Sequence, residues 1–154
     1  MRFKSFVPRP WLFISFLFLQ ACSRPDDTVI RETIMTMKQE AEAGKWNEVM
    51  GHISKHYKDK NGNNYFVITQ MIKAYTGDVQ ELQVNIEIMG VSISEREARA
   101  QLKMVVKGKR YGKIYYVTGT EENPEYPKLE LAKEGRKWKI TRVEGVRNNQ
   151  ESPW

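Results

Sequence analysis

One cysteine and two histidines in 154 residues exclude several classes of protein at the outset. A disulfide framework needs cysteines in pairs and a thiolate zinc site needs several at short spacing, so Cys22 alone supports neither. There is no glycine-rich phosphate loop and no strand-turn-helix elbow around a nucleophilic serine, which removes the usual machinery of nucleotide hydrolysis and serine-triad chemistry. No internal repeat or low-complexity tract occurs. No apolar run reaches the about 20 residues that cross a bilayer as a helix. His52 and His56 stand four apart, the spacing that can put two imidazoles on one helix face, and Asp59 follows. A metal site would want further ligands with ordered partners, so no metal and no cofactor is expected.

What is present starts with the first residues. "MRFKSFVPRP" carries Arg2, Lys4 and Arg9 and no acid, and Trp11 to Leu19 are apolar except for Ser15. A basic start, a short apolar run and a small residue at the boundary read as a secretory signal over residues 1–21. The order Leu19-Gln20-Ala21-Cys22 resembles the bacterial lipobox. That resemblance implies that Cys22 becomes the first mature residue, carrying a diacylglyceryl thioether and an acylated amine, with residues 22–27 as a polar tether. Ser23 after the cysteine, where an aspartate would signal retention, implies a lipid-anchored protein of the outer membrane that faces the periplasm of a bacterial envelope. A single acyl chain binds a membrane only marginally, whereas two or more hold firmly. The thioether also removes an otherwise unpaired thiol from an oxidising compartment.

Of the 25 lysines and arginines, three lie in residues 1–21, leaving 22 against 19 acids in a mature chain of 133 residues. That length suits one domain with a sizeable core. Residues 103–147 hold twelve basic and six acidic side chains, with Lys107, Lys109, Arg110 and Lys113 close together. Secretion and the lack of any nucleic-acid-binding motif argue against nucleic acid, and a solvated edge strand protected by lysines accounts for the cluster.

From Asp26 or Asp27, read as an N-cap, Ile30, Ile34, Met37 and Ala41 recur at helical spacing, and Gly44 supplies a stop. A short helix would carry Trp46, Val49, Met50 and Ile53, and a third, about 64–75, would present Tyr65, Ile68, Ile72 and Tyr75. After Gly77 the period changes to two. Leu82, Val84, Ile86 and Ile88 alternate with polar residues, as do Ala98, Ala100, Leu102, Met104 and Val106. A hairpin turning near residue 93 would set Glu87 against Arg99 and Gln83 against Lys103. Strands follow at about 126–133 and 137–143, and "GKIYYVTG" is either a short strand or an ordered loop. Helices first and antiparallel strands afterwards define an α+β fold, with helices packed on a curved, cone-like sheet of about four strands over residues 28–146 and a loose tail at 147–154.

At this point the residues resemble the nuclear transport factor two-like superfamily, the cystatin-like or ketosteroid-isomerase-like cone. The carriers are Trp46, then Ser54, Tyr57, Asp59 and Gly62 in a short turn segment, and Trp138, Ile140 and Val143 in the last strand. They are packing and turn residues, so the resemblance implies fold far more than function. Members include isomerases, dehydratases, transport adaptors and small lipoproteins.

The strand faces that would line the cone carry no ionisable group, so a tuned general base is missing there. The weak catalytic candidates are Tyr57, Asp59 and His52. The pocket candidates are Tyr57, Tyr65, Ala98, Ala100, Met104 and Trp138, with the methionines as adaptable filler. The expectation is a non-enzymatic, membrane-anchored envelope lipoprotein that binds an apolar small ligand or a protein partner. The alternative is a small isomerase or dehydratase-type enzyme using the cone pocket. Charged residues on the outer strand face disfavour a broad sheet-face dimer.

Overall fold

The computed structural model describes residues 25–146. The expected signal, Cys22 with its lipid, the first part of the tether, and the 147–154 tail lie outside the described residues. Three helices, α1 (Asp26–Glu42), α2 (Trp46–Gly51) and α3 (Tyr65–Thr76), precede five strands: β1 (Gln80–Ser94), β2 (Glu97–Arg110), β3 (Lys113–Thr118), β4 (Lys128–Glu134) and β5 (Lys137–Glu144).

Helix α1 begins earlier than expected. Pro25 takes the N-cap position, and Asp26 and Asp27, expected in the cap and tether, form the first helical turn. Two carboxylates there suit the positive end of the helix dipole. Ile30 and Ile34 are the buried stripe of α1, each contributing about 1.5–3 kcal/mol on burial. Asn64 caps α3, its Oδ1 accepting from the Val67 amide at 3.1 Å.

The sheet is antiparallel, in the order β1-β2-β4-β5, with β3 paired to the second half of β2. The "GKIYYVTG" segment therefore supplies a fifth strand where about four were expected. The β1–β2 hairpin turns at Glu95–Arg96, and a bulge falls between Ile88 and Gly90. Glu87 consequently faces Lys103, and Gln83 faces Lys107, a displacement of four residues from the expected pairing. An even displacement leaves every side chain on its expected face, so the apolar side survives the error. Arg99 instead sits 3.5 Å from Glu130 of β4.

The segment after α2 closes the free edge of β5. Ser54 donates its amide to the Ile140 carbonyl at 2.8 Å, Ile140 donates to the His52 carbonyl at 2.9 Å, and Lys58 donates to Thr141 at 3.0 Å. Ser54 is 1% exposed, its hydroxyl donating to Glu134 and accepting from the His56 amide.

Helix α1 is fastened at both ends. Asp26 accepts two bonds from Lys133 Nζ, at 2.7 and 2.9 Å, and one from Trp138 Nε1 at 3.1 Å. Sixteen residues on, Glu42 accepts from the Val84 amide of edge strand β1 at 2.9 Å and from Lys38 at 2.7 Å. The Lys133 and Trp138 bonds hold the Asp26 carboxyl below its ordinary value. Burial pushes Glu42 up, but the Lys38 and Val84 bonds outweigh it and leave this carboxyl lowered as well.

A carboxyl that is more acidic folded than unfolded stabilises the fold above its unfolded value, about 4, and loses that contribution as pH falls through its folded value. Urea midpoints are therefore expected to drop as pH is lowered from about 5 through about 3. The double variant Asp26→Asn/Glu42→Gln should be less stable at neutral pH and show a flatter acid decline. An unchanged decline in the double variant would refute this assignment.

Candidate functional site

Between α1, α3 and the concave face of the sheet lies a cavity of about 470 Å³, within the roughly 300–1,000 Å³ usual for small-molecule sites. Ile34, Met37 and Ala41 of α1 form one wall, and Ile68, Met71 and Ile72 of α3 another. The sheet supplies Leu82, Val84, Ile86, Leu102, Met104 and Val106. Polar groups line it too: Asp59, Lys60, Asn61 and Asn63 from the loop before α3, Lys38 of α1, Thr76 of α3, Thr118 of β3, and Glu144 at the end of β5.

The space persists because the wall opposite the sheet is thinly packed. On α3 Thr69 is buried, while Ile68, Met71 and Ile72 are half-buried and Phe66 is 68% exposed. The closed end is different. There Ile30 and Ile34 meet Ala98, Ala100, Leu131, Trp138 and Ile140 in a dry core.

Two of the expected pocket residues, Tyr57 and Met104, line the cavity, and four do not. Ala98 and Ala100 are buried at the narrow end, Trp138 is committed to Asp26, and the Tyr65 ring lies under the Lys55 ammonium at 3.6 Å. The cone narrows toward the β4–β5 turn, so the beginning of β2 is filled by core and only its second half faces open space. The walls supplied by α1 and α3 were absent from the candidate residues. Their i, i+3, i+4 spacing marked them as inward-facing, but spacing does not distinguish a packed face from one that borders a void.

Of the catalytic candidates, Tyr57 and Asp59 border the cavity and His52 does not. Tyr57 is 3% exposed and sits at the cavity wall beside the β5 edge. Burial and then the Asp59 charge push its phenol up, against a backbone hydrogen bond at Val143, so it stays protonated. Asp59 also borders the cavity, but its carboxylate is occupied. Oδ1 accepts from the Asn61 and Asn63 amides at 2.9 Å each, and Oδ2 accepts from Asn63 Nδ2 at 2.8 Å. Burial pushes this carboxyl up, and the bonds from Asn63, Asn61 and Gly62 more than reverse it, leaving it lowered. A general base at neutral pH works best with a value near 7, so this shift is in the wrong direction. His52 lies outside the lining, its Nε2 2.8 Å from Glu40 Oε2, where it joins the end of α2 to α1. His56 is exposed. Among the described residues no three His, Cys, Asp or Glu side chains gather as a metal site, and no helix is long and apolar enough to cross a membrane.

By sequence the chain matches no family model and no curated protein. By shape it resembles several solved structures. A Novosphingobium aromaticivorans protein assigned as a scytalone dehydratase superposes with a TM-score of 0.65 at 11% identity, over 79% of this chain and 83% of the other. A protein with a cystatin-like fold from the same genus and species gives 0.60 at 15%, over 82% and 84%. One of unknown function from Shewanella oneidensis gives 0.60 at 13%, over 77% and 97%. The described domain thus has the nuclear transport factor two-like, cystatin-like α+β fold.

If Asp59 serves the loop, Asp59→Ala should lower unfolding free energy by about 1–2 kcal/mol, as charge-assisted hydrogen bonds are lost. Exchange of the Asn61 and Asn63 amides should accelerate. Full stability with unchanged exchange would contradict a turn-holding role.

Proposed function

We propose that this chain is a non-catalytic binding protein of the bacterial cell envelope. It holds an apolar small molecule between α1, α3 and the sheet and is tethered to the membrane through lipid on Cys22. One observation carries the ligand half of this reading. The cavity lining is mostly apolar, and of the two carboxylates beside it Asp59 is engaged with its own loop and Glu144 lies 3.8 Å from Arg142. Such a surface recognises shape and apolar area, worth roughly 25 cal/mol per Å² buried, without directing charge at a reacting atom. The lipobox-like order ending at Cys22 supports the anchoring half.

The enzymatic alternative draws on Tyr57 and Asp59 both bordering the cavity and on the dehydratase assignment of one structural neighbour. It would need Asp59 to leave its loop bonds or to work from a lowered value, which makes it the weaker reading.

N-phenyl-1-naphthylamine, which fluoresces when it leaves water, should bind saturably. Met104→Trp, which fills the sheet side of the cavity, should weaken binding about tenfold or more, equivalent to about 1.4 kcal/mol. Asp59→Asn should leave binding within about twofold, because the asparagine can still accept from the loop amides. Equal binding by wild type and Met104→Trp would place the probe elsewhere and overturn the cavity reading. Separately, Cys22→Ala should move the protein from the membrane to the soluble fraction, and retention in the membrane would defeat the anchoring claim.

A further inference from the structure

Several irregularities meet on the β2–β3 hairpin, far from the narrow end of the cone. Its turn is Arg110-Tyr111-Gly112-Lys113, with φ +50° at Tyr111 and +76° at Gly112. Two successive positive φ angles suit asparagine or glycine, and a bulky tyrosine in the first place is strained. Packing does not compensate, because Tyr111 is 90% exposed. Beside it, Ile114 is 73% and Tyr116 46% exposed. The Nε of Arg110 and the hydroxyl of Tyr115 are buried without hydrogen-bond partners, a rare condition in a folded protein. On the stem the cations are neutralised, Lys107 by Glu121 at 3.1 Å and Lys109 by Glu81 at 3.2 Å. At the tip, Arg110 and Lys113 make no ion pair among the described residues.

We infer that this tip docks on the surface of an anionic bilayer. Tyr111 and Ile114 enter the boundary between headgroups and acyl chains, and the exposed Lys113 meets the phosphates, with the Arg110 guanidinium behind it over the Tyr115 ring at 5.4 Å. Tyrosine favours that boundary because its ring is apolar and its hydroxyl is not, and cations near an anionic leaflet add attraction. Alone, the tip binds weakly. The first residues of β2 pair with β4 beside Lys133, which holds the start of α1, so the tip lies one β2 strand away from the point where the chain enters the domain. Fourteen residues at about 3.3 Å each make that roughly 45 Å along the strand. A domain held at its entry point would therefore lie along the membrane, and the raised effective concentration would make a weak second contact sufficient. This surface is separate from the cavity and goes beyond the ligand-binding reading, while its second-contact role rests on the anchoring reading.

The test compares amide hydrogen exchange of the full chain on vesicles of phosphatidylcholine alone and of phosphatidylcholine with phosphatidylglycerol. The tip amides, residues 109–114, should be protected several-fold on the anionic vesicles only. Tyr111→Asn, which suits the turn, should raise the thermal midpoint while abolishing that protection, whereas a tyrosine placed for stability would give the opposite change. Equal exchange on the two kinds of vesicle, or protection that persists in Tyr111→Asn, overturns the inference. So does protection that rises with protein concentration without vesicles, which would mark a contact between copies. Protein that sediments with vesicles yet leaves the tip unprotected sinks this proposal alone, and protein that fails to sediment sinks the anchoring reading with it.

Discussion

The structure depends on one helix being fixed across a curved sheet. Strands β1 and β5 are the ends of the pairing order, and α1 is bound to the β5 side through Asp26 and to β1 through Glu42. A 17-residue helix is about 25 Å long, and it sets the distance between those attachments. At its N-terminus the Asp26 carboxylate faces a favourable dipole. At its C-terminus Glu42 works against the dipole and is retained by Lys38 and an edge-strand amide. The sheet therefore cannot flatten without breaking charge-assisted bonds, and its concave face stays turned toward the helices.

The cavity follows from that geometry. Near Trp138 the cone is narrow, and the isoleucines of α1 are enough to fill it. Toward the second half of β2 the sheet opens, and only half-buried side chains of α3 reach across. Alanine at position 41 and methionines at 37, 71 and 104 line a space they do not close. Because the lining is apolar, an empty cavity exposes surface that gains from burial, which is the physical basis for reading it as a binding site and not as a packing defect.

Much of this was legible in the residues. The change of period after Gly77 separated helices from strands, and alternation from Leu82 to Val106 assigned the inner face correctly even though the hairpin turn was misplaced. Only parity mattered for the face, and the Gly90 bulge with the later turn altered pairing without altering parity. Taper was not legible. Ala98, Ala100 and Met104 share one face of one strand, yet two are core and one borders a cavity, because the distance to the helices changes along β2. Asp26 was equally opaque. As an acid beside a proline it reads as a cap, and its partners Lys133 and Trp138 lie more than 100 residues away in sequence. Tyr57 and Asp59 were found through a turn pattern that carries packing information, and in the structure the Asp59 carboxylate is bonded to its own loop.

If the space between α1, α3 and the sheet is a binding cavity, the native protein should carry a molecule there. This can be checked with a crystal structure of the protein purified from its native cells without refolding. A binding cavity would show density for a co-purified apolar molecule against Ile68, Met71, Ile86 and Met104, with the Asp59 loop bonds intact. A structure in which α3 has settled onto the sheet and those side chains fill the space would contradict it.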